Sequence, residues 1–388
     1  MTVTLGLERL LTERLDLVAG RRVGLVASVS SVDRDLISTV TRLHQHPDVR
    51  LVALFGPEHG LRGEAQAGEP VATYTDRATG LPVYSLYGDT KKPTPDMLRE
   101  VEALVVDLQD GGVRFYTYLA TLAYVMQAAA EAGVPVVVLD RPTPIGGHKV
   151  EGPVLDPAYA SFVGPYPIPI RYGMTFGEVA RLFNEAFGIG CALEVVPVAG
   201  WTRAMWFDQT GLPFVPPSPN LPALQSLTVY PGACLVEGTN LSEGRGTTRP
   251  FEYIGAPWID AEDLAERMNA LALPGARFRP VYFVPAFSKH RDELCQGVHL
   301  YVQDREQFKP VETALHLMAC VRTAYPDQFA WRPPWASGGH YPIDLLSGGR
   351  LVREHLDASR PVSDLVDGWQ EALRSFGERR AGFLLYSD

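Results

Sequence analysis

The chain has 388 residues and a formal net charge of −10, with 46% hydrophobic and 21% charged residues. This length allows two domains, and the balance of residue types is that of a globular protein. The acidic charge argues against nucleic acid as a partner, because nucleic-acid binding requires clustered lysine and arginine. The most apolar helical stretch, 118–130, is shorter than the ~20 residues that a membrane span needs, so we expect no membrane partner.

Six short apolar runs, most of them rich in β-branched residues, alternate with helical patterns in the first half of the chain: 23–27, 51–55, 83–86, 103–108, 134–139 and 193–198. This alternation predicts parallel strands buried on both faces, in a Rossmann-like, doubly wound α/β sheet. The helix signals between the runs are an apolar stripe from Leu36 to Leu43, Thr94 followed by Pro95, and a capping box from Thr175 to Glu178.

Between residues 211 and 255 the composition changes to proline and glycine, which argues against a long regular element there. We therefore predict a domain boundary near residue 222. Residues 1–222 form the Rossmann-like domain and 223–388 a smaller α+β domain. The second domain is expected to contain a helix at 261–271, strands near Val281 and Val298, and helices at 311–323 and at the C-terminus.

The four cysteines are scattered without a CxxC pair, which indicates small buried side chains rather than disulfides or a zinc site. The segment Met1–Gly6 lacks a basic stretch followed by an apolar one, which predicts a cytoplasmic protein unless an export signal has been removed.

In open α/β sheets, ligands bind beyond the carboxyl ends of the strands. The first strand is followed by Ser28-Val29-Ser30-Ser31 and not by a GxGxxG fingerprint, which argues against a dinucleotide. The second strand is followed by Gly56-Pro57-Glu58-His59-Gly60. A rigid loop with a carboxylate at this edge is typical of a functional site, so Glu58 is a candidate catalytic residue.

Two further strand ends carry charged side chains. The fourth strand is followed by the segment from Asp107 to Tyr118, in which Asp107 and Asp110 either cap the next helix or bind a ligand. The fifth is followed by Asp140 and Arg141, for which an ion pair that fixes a loop is the more common role.

A second polar segment runs from Tyr230 to Glu252, and the rigid stretch Pro217–Asn220 precedes it. The simplest arrangement is a cleft between the domains, with Glu58 on one side and Glu237 or Glu243 on the other. Two carboxylates across a sugar-sized gap are what glycoside hydrolysis requires. His59 and Glu58 are the only adjacent pair that suggests a metal, and without an HExxH motif we expect no metal site.

These motifs resemble the NamZ-type exo-β-N-acetylmuramidases, glycoside hydrolase family 171. The likeness covers residues from about 23 to the C-terminus and includes 55–63, 85–88, 107–118, 140–142, 173–175, 217–220 and 237–252. It implies a Rossmann-like domain without a nucleotide, a smaller C-terminal domain and an active-site cleft between them. It also implies hydrolysis of terminal β-1,4-linked N-acetylmuramic acid from peptidoglycan fragments without a cofactor.

The resemblance implies that Glu58 is the general acid and Glu237 its partner, with Glu243 as the reserve candidate. An arginine, Arg114 or Arg245, is expected to bind the lactyl carboxylate of muramic acid. The other expected substrate contacts are His59, Asp110, Tyr116, Asn220 and Asn240. The expected partner is a peptidoglycan-derived saccharide of the N-acetylmuramyl-N-acetylglucosamine type.

Two other functions remain open at this point: a non-catalytic muropeptide-binding protein, and a metallohydrolase that uses Glu58 and His59. The stereochemical outcome is also open. A carboxylate separation of ~5–5.5 Å indicates retention and ~6.5–9.5 Å indicates inversion.

Overall fold

The computed structural model of the chain describes residues 3–63, 65–334 and 336–388. In the described residues the first sheet has seven strands, in the order β3-β4-β2-β1-β5-β6-β7. Neighbouring strands are parallel, except that β3 is antiparallel to β4. The strands are β1 (Arg22–Ala27), β2 (Arg50–Gly56), β3 (Tyr74–Thr75), β4 (Pro82–Ser85), β5 (Ala103–Asp107), β6 (Val136–Leu139) and β7 (Leu193–Val196).

The six strands that the apolar runs predict are confirmed, and the doubly wound architecture with them. The chain builds from β1 outward to β2 and β4, then returns to the other side of β1 with β5. The strand order therefore reverses beside β1, and the loops after β1, β2 and β5 leave the sheet at one edge. This is the position at which such sheets bind ligands.

Five helices accompany the first sheet: α1 (Gly6–Glu13), α2 (Thr39–Gln45), α3 (Pro95–Leu98), α4 (Tyr118–Ala132) and α5 (Phe176–Glu185). The Thr94 cap with Pro95 and the capping box of Thr175 and Glu178 are both present. Helix α4 buries ten of its fifteen residues, which agrees with its almost wholly apolar sequence. It ends at Gly133, whose φ of 67° forms a left-handed cap.

The second domain has an antiparallel sheet in the order β8-β10-β9, packed against helices. Its elements are α6 (Leu224–Ala233), β8 (Tyr253–Ala256), α7 (Ala261–Ala270), β9 (Ala276–Phe283), β10 (Cys295–Val302), α8 (Pro310–Ala324), α9 (Pro342–Ser347), α10 (Leu351–Asp357), α11 (Val362–Gly368) and α12 (Gln370–Ala381). Short 3₁₀ helices span Leu15–Leu17, Pro157–Tyr159, Phe207–Gln209 and Cys234–Gly238.

The two domains share one continuous apolar core, which runs from β5 and α4 of the first domain to α7 and α8 of the second. The end of the chain also returns to the first domain. The Leu385 amide donates to Glu178 Oε1 at 2.7 Å, and the Tyr386 hydroxyl donates to the Asp140 carboxylate. The α/β fold with a smaller second domain is therefore confirmed, while the boundary near residue 222 stays a prediction.

Two local predictions were wrong. Helix α6 is ten residues long and contains Pro231, although the prolines argued against a long regular element there. The proline removes one hydrogen bond near the end of the helix, and burial outweighs that loss, because every residue from 226 to 233 is buried. Leu36 is not part of α2; it has a φ of 61° and is 59% exposed, in a turn closed by the Asp33 carboxylate.

The predicted ion pair between Asp140 and Arg141 was also wrong. Arg141 instead pairs with Asp107, with 2.8 Å between Nη2 and Oδ2, so Asp107 ties β5 to β6 and does not cap a helix. Asp140 accepts hydrogen bonds from the Thr175 hydroxyl at 2.7 Å and the Gly177 amide at 2.7 Å. Among the described residues, no helix is both long and apolar enough to cross a membrane.

Candidate active site

The loop after β2 turns sharply and presents Glu58 at the edge of the sheet. A Cβ on Gly56 would lie 3.0 Å from the Leu61 amide nitrogen, so the returning chain would have to move to admit a side chain there. His59 and Gly60 have left-handed backbones, with φ of 73° and 77°. A non-glycine residue in this region is uncommon and marks a conformation that the surrounding structure imposes.

Hydrogen-bond donors surround the Glu58 carboxylate, which is only 8% exposed. Oε1 accepts from the Gly68 amide at 2.8 Å, and Oε2 accepts from the Thr117 hydroxyl at 2.5 Å. Tyr87 also hydrogen-bonds to Glu58, and burial together with the negative charge of Glu58 raises the pKa of Tyr87, which keeps its hydroxyl protonated. The carboxylate is thus held in one orientation from three directions.

His59 lies beside Glu58 and is 3% exposed. Its Nδ1 lies 3.0 Å from the Ala65 carbonyl oxygen. Burial lowers the pKa of His59 below its usual value, and the positive charge of Arg245 lowers it further, against the opposing effects of Glu58 and the Ala65 carbonyl. We therefore expect a neutral imidazole at neutral pH. A substrate contact by His59 stays a prediction.

Three buried tyrosines extend from the Glu58 loop toward the second domain. The Tyr116 hydroxyl donates to the Pro217 carbonyl at 2.8 Å, and the Tyr118 hydroxyl donates to the same oxygen at 3.2 Å. The Tyr116 ring lies 4.7 Å from the ring of Tyr118 and 6.4 Å from that of Tyr230. The Tyr116 ring therefore connects the first domain to α6. Its hydroxyl already donates to the Pro217 carbonyl.

The Pro217–Asn220 stretch, which the sequence places near the cleft, packs against the loop that carries Glu58. Asn220 is 4% exposed, and its Nδ2 donates to Gln66 Oε1 at 3.3 Å. Its backbone amide donates to the Ser218 hydroxyl at 3.3 Å. Asn220 thus lies at the candidate site and connects two of its loops.

On the second domain, Glu237 and Glu243 share Arg245. Arg245 donates twice to Glu237 Oε1, from Nη2 at 2.6 Å and from Nε at 3.0 Å, and its Nε lies 3.4 Å from Glu243 Oε1. Lys289 Nζ lies 2.8 Å from Glu243 Oε2 and donates to the carbonyls of Val236 and Thr239 at 3.2 and 3.0 Å. Two carboxylates and two cations therefore form one balanced network.

The charges in this network act on each other strongly because their side chains are largely buried. Burial alone raises the pKa of Glu243, but the positive charges of Lys289 and Arg245 outweigh it and hold the pKa below its usual value. Burial lowers the pKa of Arg245, and the two glutamates more than reverse this, so the pKa is raised. Arg245 and Glu243 are therefore both charged at neutral pH.

A row of aromatic rings connects the Glu58 side to the Glu237 side. Tyr230 lies 4.7 Å from Phe251, and the Arg245 guanidinium lies 5.1 Å from the Phe251 ring. This row links the two polar loops, and the charge of Arg245 also lowers the pKa of His59. The structure thus brings together Glu58, His59, Tyr116, Asn220, Glu237, Glu243 and Arg245.

Arg114 and Asn240 lie outside this group, and their predicted substrate contacts have to be corrected. The Arg114 side chain is fully buried and donates to the carbonyls of Pro153, Ile168 and Leu346 at 2.7–2.8 Å. Asn240 exchanges side-chain hydrogen bonds with the backbone of Gln328 and Ala330 at 2.7 and 3.0 Å. Both side chains hold distant segments together instead of facing a ligand.

Asp110 is 2% exposed, just beyond the end of β5, and accepts a hydrogen bond from the Tyr172 hydroxyl. Burial raises its pKa to about 7, the Asp140 charge adds to the effect, and the Gly112 amide opposes it. Such a group binds its proton more tightly in the folded protein than in the unfolded chain. The free energy of unfolding must therefore fall as the pH rises from about 4 to about 7.

We expect Asp110→Asn to reduce this loss of stability, because the amide keeps the shape and never ionises. The measurement is the melting temperature of both proteins from pH 5 to pH 8. The melting temperature of the wild type should fall toward pH 8 relative to that of Asp110→Asn. Two parallel melting curves across this range would contradict the burial effect at Asp110.

Four contacts at the site were not predicted from the sequence: the Gly68 amide, the Thr117 hydroxyl and the Tyr87 hydroxyl on Glu58, and Lys289 on Glu243. Thr117 lay in a segment already singled out, whereas Lys289 comes from the loop between β9 and β10. Within the described ranges, no group of three or more His, Cys, Asp or Glu side chains is arranged to hold a metal ion.

Comparison with known proteins gives consistent matches along the chain. Models for the N-terminal and C-terminal parts of exo-β-N-acetylmuramidase NamZ match residues 23–225 and 228–386. The chain is 49% identical over 384 residues to the peptidoglycan β-N-acetylmuramidase NamZ of Bacillus subtilis (strain 168), covering 99% of this chain and 91% of the relative.

Two crystal structures of DUF1343 family proteins from Bacteroides fragilis NCTC 9343 have the same fold. The first has a TM-score of 0.91 at 39% identity, and the match covers 99% of each chain. The second has a TM-score of 0.75 at 29% identity and covers both chains in full.

Proposed function

The chain belongs to the NamZ family of exo-β-N-acetylmuramidases, and we propose that it is a glycosidase acting on peptidoglycan. The proposed reaction is the release of β-1,4-linked N-acetylmuramic acid from the non-reducing end of peptidoglycan fragments. The proposed substrate is a saccharide of the N-acetylmuramyl-N-acetylglucosamine type. The observation that carries the proposal is the nearly buried, rigidly held carboxylate of Glu58 at the ligand-binding edge of the sheet.

In this proposal Glu58 is the general acid, which protonates the glycosidic oxygen as the bond breaks. The Gly68 amide and the Thr117 hydroxyl fix the direction of its carboxyl group. A fixed direction matters because proton transfer requires a heavy-atom distance of roughly 2.6–3.2 Å in the reacting complex.

Glu237 is the better candidate for the second carboxylate, the nucleophile or base. Its side chain is 26% exposed, whereas that of Glu243 is 3% exposed. Both Arg245 donors reach the same Glu237 oxygen, Oε1. Glu243 is instead enclosed by Lys289 and Arg245. We assign Glu243 the role of a positioning residue that holds Arg245 against Glu237.

The first test is hydrolysis of 4-nitrophenyl β-N-acetylmuramide beside the matching β-N-acetylglucosaminide. We expect release of nitrophenolate from the muramide and little or none from the glucosaminide, because the two differ only in the 3-O-lactyl group. The measurement is kcat/KM on each substrate, with and without EDTA.

Each failure of this test has a separate meaning. Equal rates on the two glycosides would contradict muramic acid specificity. Tight binding of muropeptides without turnover would indicate a binding protein, and loss of activity in EDTA would indicate a metallohydrolase.

A further inference from the structure

The segment from Ser85 to Gly88 forms a wall beside Glu58. Only Tyr87 of this segment has a part in the role proposed for Glu58. The Leu86 amide donates to the Gly56 carbonyl at 2.8 Å, which fixes the segment to the end of β2. A Cβ on Gly88 would lie 2.7 Å from the Val71 carbonyl oxygen, so the wall packs too closely for a side chain there. The Tyr87 side chain emerges from this wall and reaches the Glu58 carboxylate.

Lys91 follows this wall in the chain, and its ammonium group lies over two aromatic rings. Its Nζ lies 4.2 Å from the Phe162 ring centroid and 5.4 Å from that of Tyr87. Both distances are within the range of cation–π attraction, which orients an ammonium without neutralising it. The Phe162 and Tyr87 rings are themselves 5.6 Å apart. Lys91 is thus an exposed cation with a preferred position next to the residue that contacts Glu58.

No carboxylate in the described part of the chain forms an ion pair with Lys91, unlike its sequence neighbour. Lys92 Nζ lies 2.6 Å from Glu131 Oε1. The Thr90 hydroxyl donates to the Lys92 carbonyl at 2.6 Å and fixes the backbone on both sides of Lys91. The positive charge of Lys91 is therefore available to a ligand.

The other cations around the site already have carboxylate partners. Arg245 pairs with Glu237 and Glu243, and Lys289 pairs with Glu243. Arg62 pairs with Asp76 at 2.7 Å. A substrate carboxylate at Arg245 would have to displace a glutamate that the proposed mechanism needs, whereas Lys91 loses no ion pair when it binds one.

We propose that Lys91 binds the carboxylate of the 3-O-lactyl group of N-acetylmuramic acid and so sets the preference for muramic over glucosaminyl substrates. This inference rests on the proposed function. The flanking Tyr87 and Phe162 rings offer apolar surface to the lactyl methyl group, while the ammonium supplies a charge-assisted hydrogen bond.

The test uses Lys91→Met, with Lys92→Met as the matched control and Lys91→Arg as the conservative variant. Binding of N-acetylmuramic acid and of N-acetylglucosamine to the whole protein is measured by calorimetry. We expect Lys91→Met to weaken N-acetylmuramic acid binding roughly ten- to a hundredfold, as for a lost hydrogen bond to a charged group, and to leave N-acetylglucosamine binding unchanged. Lys92→Met should match the wild type, and Lys91→Arg should retain most of the affinity.

The second measurement is kcat/KM on 4-nitrophenyl β-N-acetylmuramide and on its analogue with the lactyl carboxylate converted to the amide. Lys91→Met should lower kcat/KM on the charged substrate and leave it unchanged on the amide. Unchanged binding of N-acetylmuramic acid in Lys91→Met, or equal losses on both glycosides, would overturn the role of Lys91. Binding that depends on Lys91 in a protein that hydrolyses no muramide would support this inference and reject the proposed function.

Discussion

Replacing Glu58 with glutamine is expected to lower kcat on the N-acetylmuramyl-N-acetylglucosamine disaccharide by roughly 10²–10⁴-fold, the contribution typical of a positioned general acid. Glutamine keeps the shape of the side chain and its hydrogen bond from the Gly68 amide, but has no proton to transfer. The loss on 4-nitrophenyl β-N-acetylmuramide should be smaller, because nitrophenolate leaves with little protonation. The ratio of the loss of kcat on the disaccharide to the loss on the nitrophenyl glycoside therefore measures acid catalysis by Glu58.

Glu69→Gln is the matched control for this change. Glu69 belongs to the same loop, is exposed, and accepts a hydrogen bond from the Gln66 amide at 3.1 Å. We expect this variant to retain wild-type kcat on both substrates. If Glu58 only stabilised the loop, Glu58→Gln would lower the melting temperature and leave turnover on the disaccharide nearly intact, and that result would remove Glu58 from the mechanism.

Glu58 could be predicted as a candidate from the sequence because its position depends only on local features of the chain. Short β-branched runs specify parallel strands, and the carboxyl ends of such strands meet at one edge of the sheet. The proline and glycines around Glu58 then indicate a rigid loop at that edge. The same local logic predicted the capping box of Thr175 and Glu178, since both partners are three residues apart.

The errors concern contacts between residues far apart in the chain. Arg114 follows a strand end and is a suitable carboxylate ligand, yet its guanidinium donates to a carbonyl 232 residues away. Asn240 lies in a polar, glycine-rich segment, yet its side chain binds a backbone 88 and 90 residues away. Residue type and local pattern do not encode how deeply a loop is packed by later parts of the chain.

The polar segment from Glu237 to Glu252 illustrates the same limit. Its composition indicates a loop that is too polar for a core, but Glu243, Phe251 and Glu252 are all at least 95% buried. Burial of Glu243 is possible because Lys289 and Arg245 neutralise its carboxylate, and a buried charge without such partners is very costly. Lys289 comes from a hairpin loop that no motif distinguishes, so the sequence alone could not predict the complete network.

We expect Glu237→Gln to lower kcat on the disaccharide and on the nitrophenyl glycoside alike, by at least roughly 10²–10⁴-fold. A nucleophile or base is needed whichever group departs, so a good leaving group cannot compensate for its loss. This equal loss distinguishes Glu237 from Glu58. The measurement is kcat on both substrates, with Glu266→Gln as the control, because Glu266 is an exposed glutamate on α7 away from the network.

Glu243→Gln separates the reacting carboxylate from the one that positions it. It removes one of the two negative charges around Arg245 and the only carboxylate paired with Lys289 in the described residues, so the melting temperature should fall. Because Arg245 keeps its two hydrogen bonds to Glu237, part of the activity should remain. Adding azide or formate as an external nucleophile should restore turnover of the nitrophenyl glycoside when the reacting carboxylate is truncated to alanine, because alanine leaves the room that glutamine would fill. Rescue of Glu243→Ala but not of Glu237→Ala would reverse the two assignments.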